Sequence, residues 1–156
     1  MTIRTAQEKD IPRLIQLLQQ VLEIHAAIRP DIFVSGTTKF SAEELKVKLT
    51  NPIEPIYVAV DDEDKVLGYA MCEIQDNFDK GNQVPMKKLY IGDLCVSEEA
   101  RGQHVGKALF EHVKEEGRRL GCYEVLLAVW TGNDKAERFY EGLGMKTKER
   151  IMEYIL

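Results

Sequence analysis

The chain has 156 residues, 44% of them apolar, enough for one compact core and too few for two full domains. Its 21 Lys and Arg against 26 Asp and Glu leave a formal charge of −5, which argues against a uniformly basic surface and hence against a nucleic-acid partner. No stretch approaches the roughly 18–20 apolar residues of a membrane span, and residues 1–10 lack the basic-then-apolar order of a secretion signal, so a cytoplasmic protein without a membrane partner is expected.

Residues 2–5 predict a short strand. Ile11, Leu14, Ile15, Leu18, Val21 and Leu22 recur at three- and four-residue spacing and predict an amphipathic helix, with Pro12 in the first turn where its missing N–H costs nothing. That helix should end before Pro30, and 29–40 reads as an irregular connection. Ser41, with Glu44 three residues on, forms a capping box for a second short helix to about Leu49, closed off by Pro52 and Pro55. Residues 56–60 and 66–74 are β-rich runs on either side of Asp61-Asp62-Glu63-Asp64, an antiparallel hairpin with a solvated acidic tip.

A third strand covers 89–96, and Val105, Ala108, Leu109, Val113 and Leu120 then mark a helix that Gly121 is placed to cap. Residues 123–130 are nearly continuously apolar, the pattern of a central strand covered on both faces. Ala136, Phe139, Tyr140 and Leu143 give a face to a short helix ending at Gly142 or Gly144. Residues 151–156 read as a final strand whose edge would be open to a second copy, a homodimer. The order β-α-α-β-β-β-α-β-α-β predicts an α/β (α+β) domain, a mixed sheet with helices on its faces.

Cys72, Cys95 and Cys122 are odd in number and form no Cys-x-x-Cys pair, so buried reduced thiols are expected rather than disulfides or a zinc site. His25, His104 and His112 belong to no His-Glu-x-x-His, and no metal is expected. The stretch richest in chemistry is Arg101-Gly102-Gln103-His104-Val105-Gly106-Lys107, a glycine-bearing turn between strand and helix. Such a turn aims unpaired backbone N–H groups and the positive end of a helix dipole outward, which suits a phosphate or pyrophosphate, and Arg101 and Lys107 add two cations. It is neither a Walker loop nor a dinucleotide fingerprint. Taken alone, an ordinary strand-to-helix turn with surface cations explains it as well.

Leu94-Cys95-Val96, then Arg101 to Leu109, then Asn133-Asp134-Lys135-Ala136-Glu137-Arg138-Phe139-Tyr140-Glu141-Gly142-Leu143-Gly144-Met145, in that order and separation, resemble the acetyl-CoA-binding core of the GNAT-type N-acetyltransferase family. The element order is similar over essentially the whole chain. The resemblance implies one domain over 1–156, a mixed, mainly antiparallel sheet with helices on both faces, and acetyl-CoA as acetyl donor. It further implies direct attack by a primary amine, on a small molecule or a peptide, with neither a metal nor a covalent intermediate.

By the same resemblance, the backbone of Arg101, Gly102, Gln103, His104, Val105, Gly106 and Lys107 holds the CoA pyrophosphate. His104 stands where the family usually has a glycine, which is costly only if its φ is positive; a catalytic-base role is the alternative for this ring. The backbone of Leu94, Cys95 and Val96 pairs with the pantetheine arm where this strand and the one ending near Trp130 splay apart. An amide at or next to Val96 would hold the oxyanion. Nothing nearby in sequence lowers the Cys95 thiol pKa, so a nucleophilic role is not expected for it. Asn133 lies near the cofactor while also suited to cap its helix.

Tyr140 matches the family's general acid, a phenol still protonated at neutral pH, although the apolar face of its helix would also explain it as core. The base is less defined, because the positions where relatives carry glutamates are Gly92 and Ala128 here. Asp93 is the candidate, with Glu73 second. Residues 25–33 fall where the family's acceptor-side loop lies. The alternative to an enzyme is a binding module of the same fold that senses acyl-CoA without turnover.

Overall fold

A computed structural model describes all 156 residues. The strands are β1 (Thr2–Thr5), β2 (Ile56–Val60), β3 (Val66–Asp76), β4 (Lys87–Val96) and β5 (Glu124–Leu127); the helices are α1 (Ile11–Ile28), α2 (Ala42–Leu49), α3 (Val105–Arg119) and α4 (Asp134–Gly142). One sheet runs in the order β1-β2-β3-β4-β5. The first three pairings are antiparallel and β4–β5 is parallel, so the sheet is mixed and mainly antiparallel as expected.

Helices cover both faces. Leu14, Leu17 and Leu18 of α1 and Leu45 of α2 pack on Val58, Tyr69, Met71 and Cys95. Leu109, Phe110 and Val113 of α3 pack on Ala59, Ala70, Leu89 and Ile91 on the other side. Because side chains alternate along a strand, β2 feeds both layers, and all five of its residues are buried. Helix α1 ends where Pro30 requires, with the Arg29 N–H donating to the His25 carbonyl. At α2 the capping box forms: the Glu44 N–H donates to Ser41 Oγ and the Ser41 N–H donates to Glu44 Oε2.

Two expectations fail at the C-terminal end. Residues 123–130 are not a central strand: only Glu124–Leu127 pair, at the sheet edge, and all four are half-buried. Val125 and Leu127 pack toward the α3 layer, whereas Trp130 turns away against Phe33 of the α1–α2 connection, so the apolar run serves two environments. Residues 151–156 form no strand, and the outer edge of β5 receives no partner from this chain. Ile151, Met152, Tyr154, Ile155 and Leu156 are exposed, and Glu153 is held by a bidentate pair with Arg29. No residue after Gly117 is buried.

The turn into α3 carries a conformational cost. Gly102 has φ +80, which glycine adopts freely, but His104 also sits in the left-handed region at φ 61 and ψ 15. The condition under which histidine is worse than glycine is therefore met. Its side chain is exposed and makes no capping hydrogen bond, so nothing local offsets the crowding of Cβ against the carbonyl. Replacement His104→Gly is expected to stabilise the protein by up to about 1 kcal/mol, less the larger unfolded-state entropy of glycine. Urea unfolding measures it, and a loss of stability would show that His104 makes a compensating interaction.

Candidate active site

The parallel pairing of β4 with β5 covers only Lys88–Ile91 against Glu124–Leu127. Beyond Ile91 the two strands separate, while β4 remains paired with β3 through Val96. A bulge sits at the vertex: Met71 opposes Asp93 and Cys72 opposes Ile91, so Gly92 is the extra residue of β4. Past the bulge, the Ser97 N–H donates to the Leu67 carbonyl. Alternation then turns the Cys95 backbone toward β3 and the backbones of Leu94 and Val96 toward the gap. Leu94 and Val96 thus turn backbone groups to the gap, whereas Cys95, expected to act with them, spends its own on β3. One of these groups is already used, since the Gln20 side-chain amide on α1 donates to the Val96 carbonyl at 3.0 Å and approaches Cys95 Sγ at 3.3 Å. The Val96 N–H stays available for an oxygen acquiring charge.

At the end of the gap lies the N-terminus of α3. Ala108 is the first helical residue to donate backward, to the His104 carbonyl, and the N–H groups of His104, Val105, Gly106 and Lys107 donate to no backbone acceptor. These four donors with the helix dipole form an anion cradle. Gly106 is needed for packing as well: a Cβ there would meet Phe139 Cζ at 3.0 Å and Val96 Cγ2 at 3.4 Å. Arg101 pairs only weakly with Glu98 at 3.6 Å, and Gln103 is turned back to donate to the Glu99 carbonyl. At the start of α4, Asn133 Oδ1 accepts from the Ala136 N–H at 3.4 Å, the capping role anticipated for it.

Near the vertex stands Asp93, on the α1 face, with its side chain only 8% exposed. Burial pushes its carboxyl up to about 6, against the opposing pull of Lys39, whose Nζ is 3.8 Å away, and of the Tyr69 hydroxyl and Leu94 amide. Tyr69 is completely buried, and its hydroxyl falls short of a standard hydrogen bond to Asp93 or any other group, leaving an unsatisfied donor beside the carboxyl. Tyr140 is half-buried on α4, between Phe110 and Phe139. Burial, and then the charge of Asp93, hold its phenol well above the ordinary value, so it is neutral at pH 7.

The other sequence candidates separate clearly. Burial pushes the Cys95 thiol up to about 12 and Cys72 likewise, which rules out a ready thiolate nucleophile. Glu73 is exposed on β3 and bonded to Gln75, a poorer candidate base than Asp93. His104 is exposed on its turn, whereas His25 stacks 5.2 Å from Phe33, which meets Trp130 edge-on at 5.3 Å. Arg29 lies over the Trp130 ring and holds Asp31 and Glu153. The 25–33 segment therefore packs on Trp130, just beyond the end of β5. Asp64 at the hairpin tip is paired with Arg4 and Lys9 rather than merely solvated.

Sequence reasoning missed Gln20, Lys39 and Tyr69. Gln20 and Lys39 carry no motif, and Tyr69 is indistinguishable from its apolar strand neighbours; only the fold places them at the gap.

Comparison with known proteins agrees with this geometry. Residues 18–145 match the model of the acetyltransferase (GNAT) family. A thialysine N-epsilon-acetyltransferase from Bos taurus is 28% identical over 152 residues, 91% of this chain and 82% of that protein. A glucosamine 6-phosphate N-acetyltransferase from Trypanosoma brucei brucei is 35% identical over 88 residues, and the match spans 56% of each protein. Among solved structures, a mutant of the BH1408 protein from Bacillus halodurans superposes with a TM-score of 0.95 at 30% identity, over 100% of this chain and 99% of that one. The split between β4 and β5, the amide cradle at the head of α3 and the family match over residues 18–145 place this chain in the GNAT family of acetyltransferases.

Proposed function

We propose that the protein is an acetyl-CoA-dependent N-acetyltransferase that transfers the acetyl group to a primary amine by direct attack in a ternary complex. The observation that carries this reading is the conjunction at one gap of a free β4 edge, an anion cradle at its end, and a buried carboxyl and a neutral phenol near its vertex. The residues fit acetyl-CoA: the amides of 104–107 suit the pyrophosphate, with Arg101 and Lys107 adding charge, and the backbone of Leu94 suits an amide of the pantetheine arm, while the Val96 N–H is left for the thioester oxygen. Acetyl-CoA supplies an acyl thioester with a good leaving group.

In this mechanism Asp93 accepts a proton from the acceptor ammonium, directly or through one water, and generates the nucleophilic amine. The Val96 N–H donates to the carbonyl oxygen as it gains charge. The Tyr140 hydroxyl protonates the departing sulfur, a task for which a phenol held neutral by burial is ready. The acceptors in the names of the bovine and trypanosomal relatives are small amines, which favours a small-molecule acceptor over a peptide.

The reading also takes the protein as a homodimer. After Gly117 no residue is buried, five of the last six residues are exposed apolar side chains, and the outer edge of β5 is unpaired. An open strand edge and an apolar segment without a partner are complementary between two copies. Deleting residues 151–156 is expected to convert a dimer to a monomer in sedimentation equilibrium; a full-length chain that is monomeric would overturn the dimer.

The test of the activity is thiol release from acetyl-CoA over a panel of small primary amines, alongside calorimetric binding. Binding without release for any amine would favour the acyl-CoA sensor. The Tyr140→Phe change should lower kcat by about a hundredfold while acetyl-CoA affinity stays within about twofold, because the hydroxyl acts only as sulfur leaves. An unchanged kcat would remove Tyr140 from the chemistry. Asp93 must be ionised to act, so kcat/KM is expected to be present above its pKa and to fall as the pH drops through about 6. That acid limb should vanish in the residual activity of Asp93→Asn; its persistence would assign it to another group.

A further inference from the structure

The acceptor's ammonium must come to the vertex of the gap, within reach of Asp93. In the free protein an ammonium is already there. Lys39, on the irregular connection between α1 and α2, places Nζ 3.4 Å from the carbonyl oxygen of Gly92, the bulge residue, and 3.8 Å from Asp93 Oδ2. Its side chain remains 46% exposed, held by the charge of Asp93, one long hydrogen bond and the face of the Phe40 ring 5.5 Å from Nζ. The connection is anchored to α1 upstream, where Ser35 Oγ and the Gly36 N–H donate to Glu23, and Thr38 bonds only to the nearby Phe40 carbonyl, so the freedom to move lies in the Lys39 side chain itself. A cavity of about 260 Å³, lined by Lys39, Met71, Glu73, Tyr90 and Gly92 among others, leaves room for the stem to move.

A primary amine on a four-carbon stem, half-exposed and resting against the candidate base, has the features required of an acceptor. We propose that Lys39 is an internal acceptor, acetylated by its own active site when acetyl-CoA is bound and no amine substrate is present. This rests on the acetyltransferase reading. Asp93 takes a proton from the Lys39 ammonium, and the neutral nitrogen attacks the thioester carbonyl carbon. The C–N bond forms, the C–S bond breaks, and the sulfur leaves with a proton from Tyr140, whose phenolate is reprotonated by the proton lost from the attacking nitrogen. The net products are Nε-acetyl-Lys39 and free CoA thiol, with the proton held by Asp93 returned to solvent. Tethering supplies the orientation that a free amine would need to find by binding. The modification removes the cation that faces Asp93 and leaves an acetamide in the acceptor's place, so it also lowers turnover of external amines.

The test is a time course of the intact protein with acetyl-CoA and no acceptor, followed by peptide mapping with Lys80 as internal control. The Lys80 side chain is 57% exposed, lies between β3 and β4 and forms its ion pair with the neighbouring Asp79, so it reports solution acetylation. Lys39 is expected to be acetylated at least about tenfold faster than Lys80, with release of about one equivalent of thiol per chain. An added acceptor amine should suppress the reaction at Lys39, and Tyr140→Phe should slow it there without changing Lys80. In Lys39→Arg, which keeps the charge, the acceptor-independent thiol release should fall to background. Acetylation of Lys39 at the rate of Lys80 overturns the proposal. If external amines are still acetylated in that case, the enzyme reading stands alone; if calorimetry finds no acetyl-CoA binding, both fall.

Discussion

The constraint on which the site depends is the end of the β4–β5 pairing at Ile91 and Leu127. A sheet that stays closed satisfies its own backbone; one that opens leaves N–H and C=O groups needing partners. Here the opening coincides with the bulge at Gly92, which takes one residue out of register with β3 and puts Asp93 just past the vertex. Gln20 closes off the Val96 carbonyl from the α1 side. The remaining lip of β4 is an extended edge of the length and polarity that an amide-bearing arm can pair with.

Electrostatics divides along the same line. The chain is acidic overall, yet 101–119 carries Arg101, Lys107, Lys114, Arg118 and Arg119 against only Glu111, Glu115 and Glu116. The anion cradle therefore lies in a basic exception to the general charge. At the vertex the opposite logic applies. Burial drives the Asp93 carboxyl toward neutrality, Lys39 draws it back, and the result is a group that titrates near the pH where a base is useful. Burial, and then the charge of Asp93, push Tyr140 in the same direction, so its phenol keeps its proton where the proposed mechanism needs it.

Much of this was legible in the sequence because it is local. The capping box at Ser41, the periodicity of α1 and α3 and the acidic hairpin tip each depend on residues a few positions apart. The cradle was legible too, since a glycine-bearing turn before a helix declares its free amides. What escaped reading depends on distant partners. Residues 123–130 looked continuously apolar, but Trp130 is apolar for the sake of Phe33, nearly a hundred residues earlier, rather than for a sheet. Residues 151–156 have the composition of a strand, yet they pair with neither free edge of the sheet, β1 or β5. The sign of φ at His104, which decides whether that residue is strained, is invisible without coordinates. Gln20, Lys39 and Tyr69 are unremarkable letters that the fold brings to one place.

The central claim is that the lip of β4 beyond Gly92 and the head of α3 together receive acetyl-CoA. Residue-resolved amide hydrogen exchange with and without acetyl-CoA tests it most directly. On binding, the Val96 amide and those of His104, Val105, Gly106 and Lys107 are expected to slow together, while the Cys95 amide, which faces β3, changes little. Binding that leaves Val96 and the 104–107 amides exchanging at their free rates would contradict it.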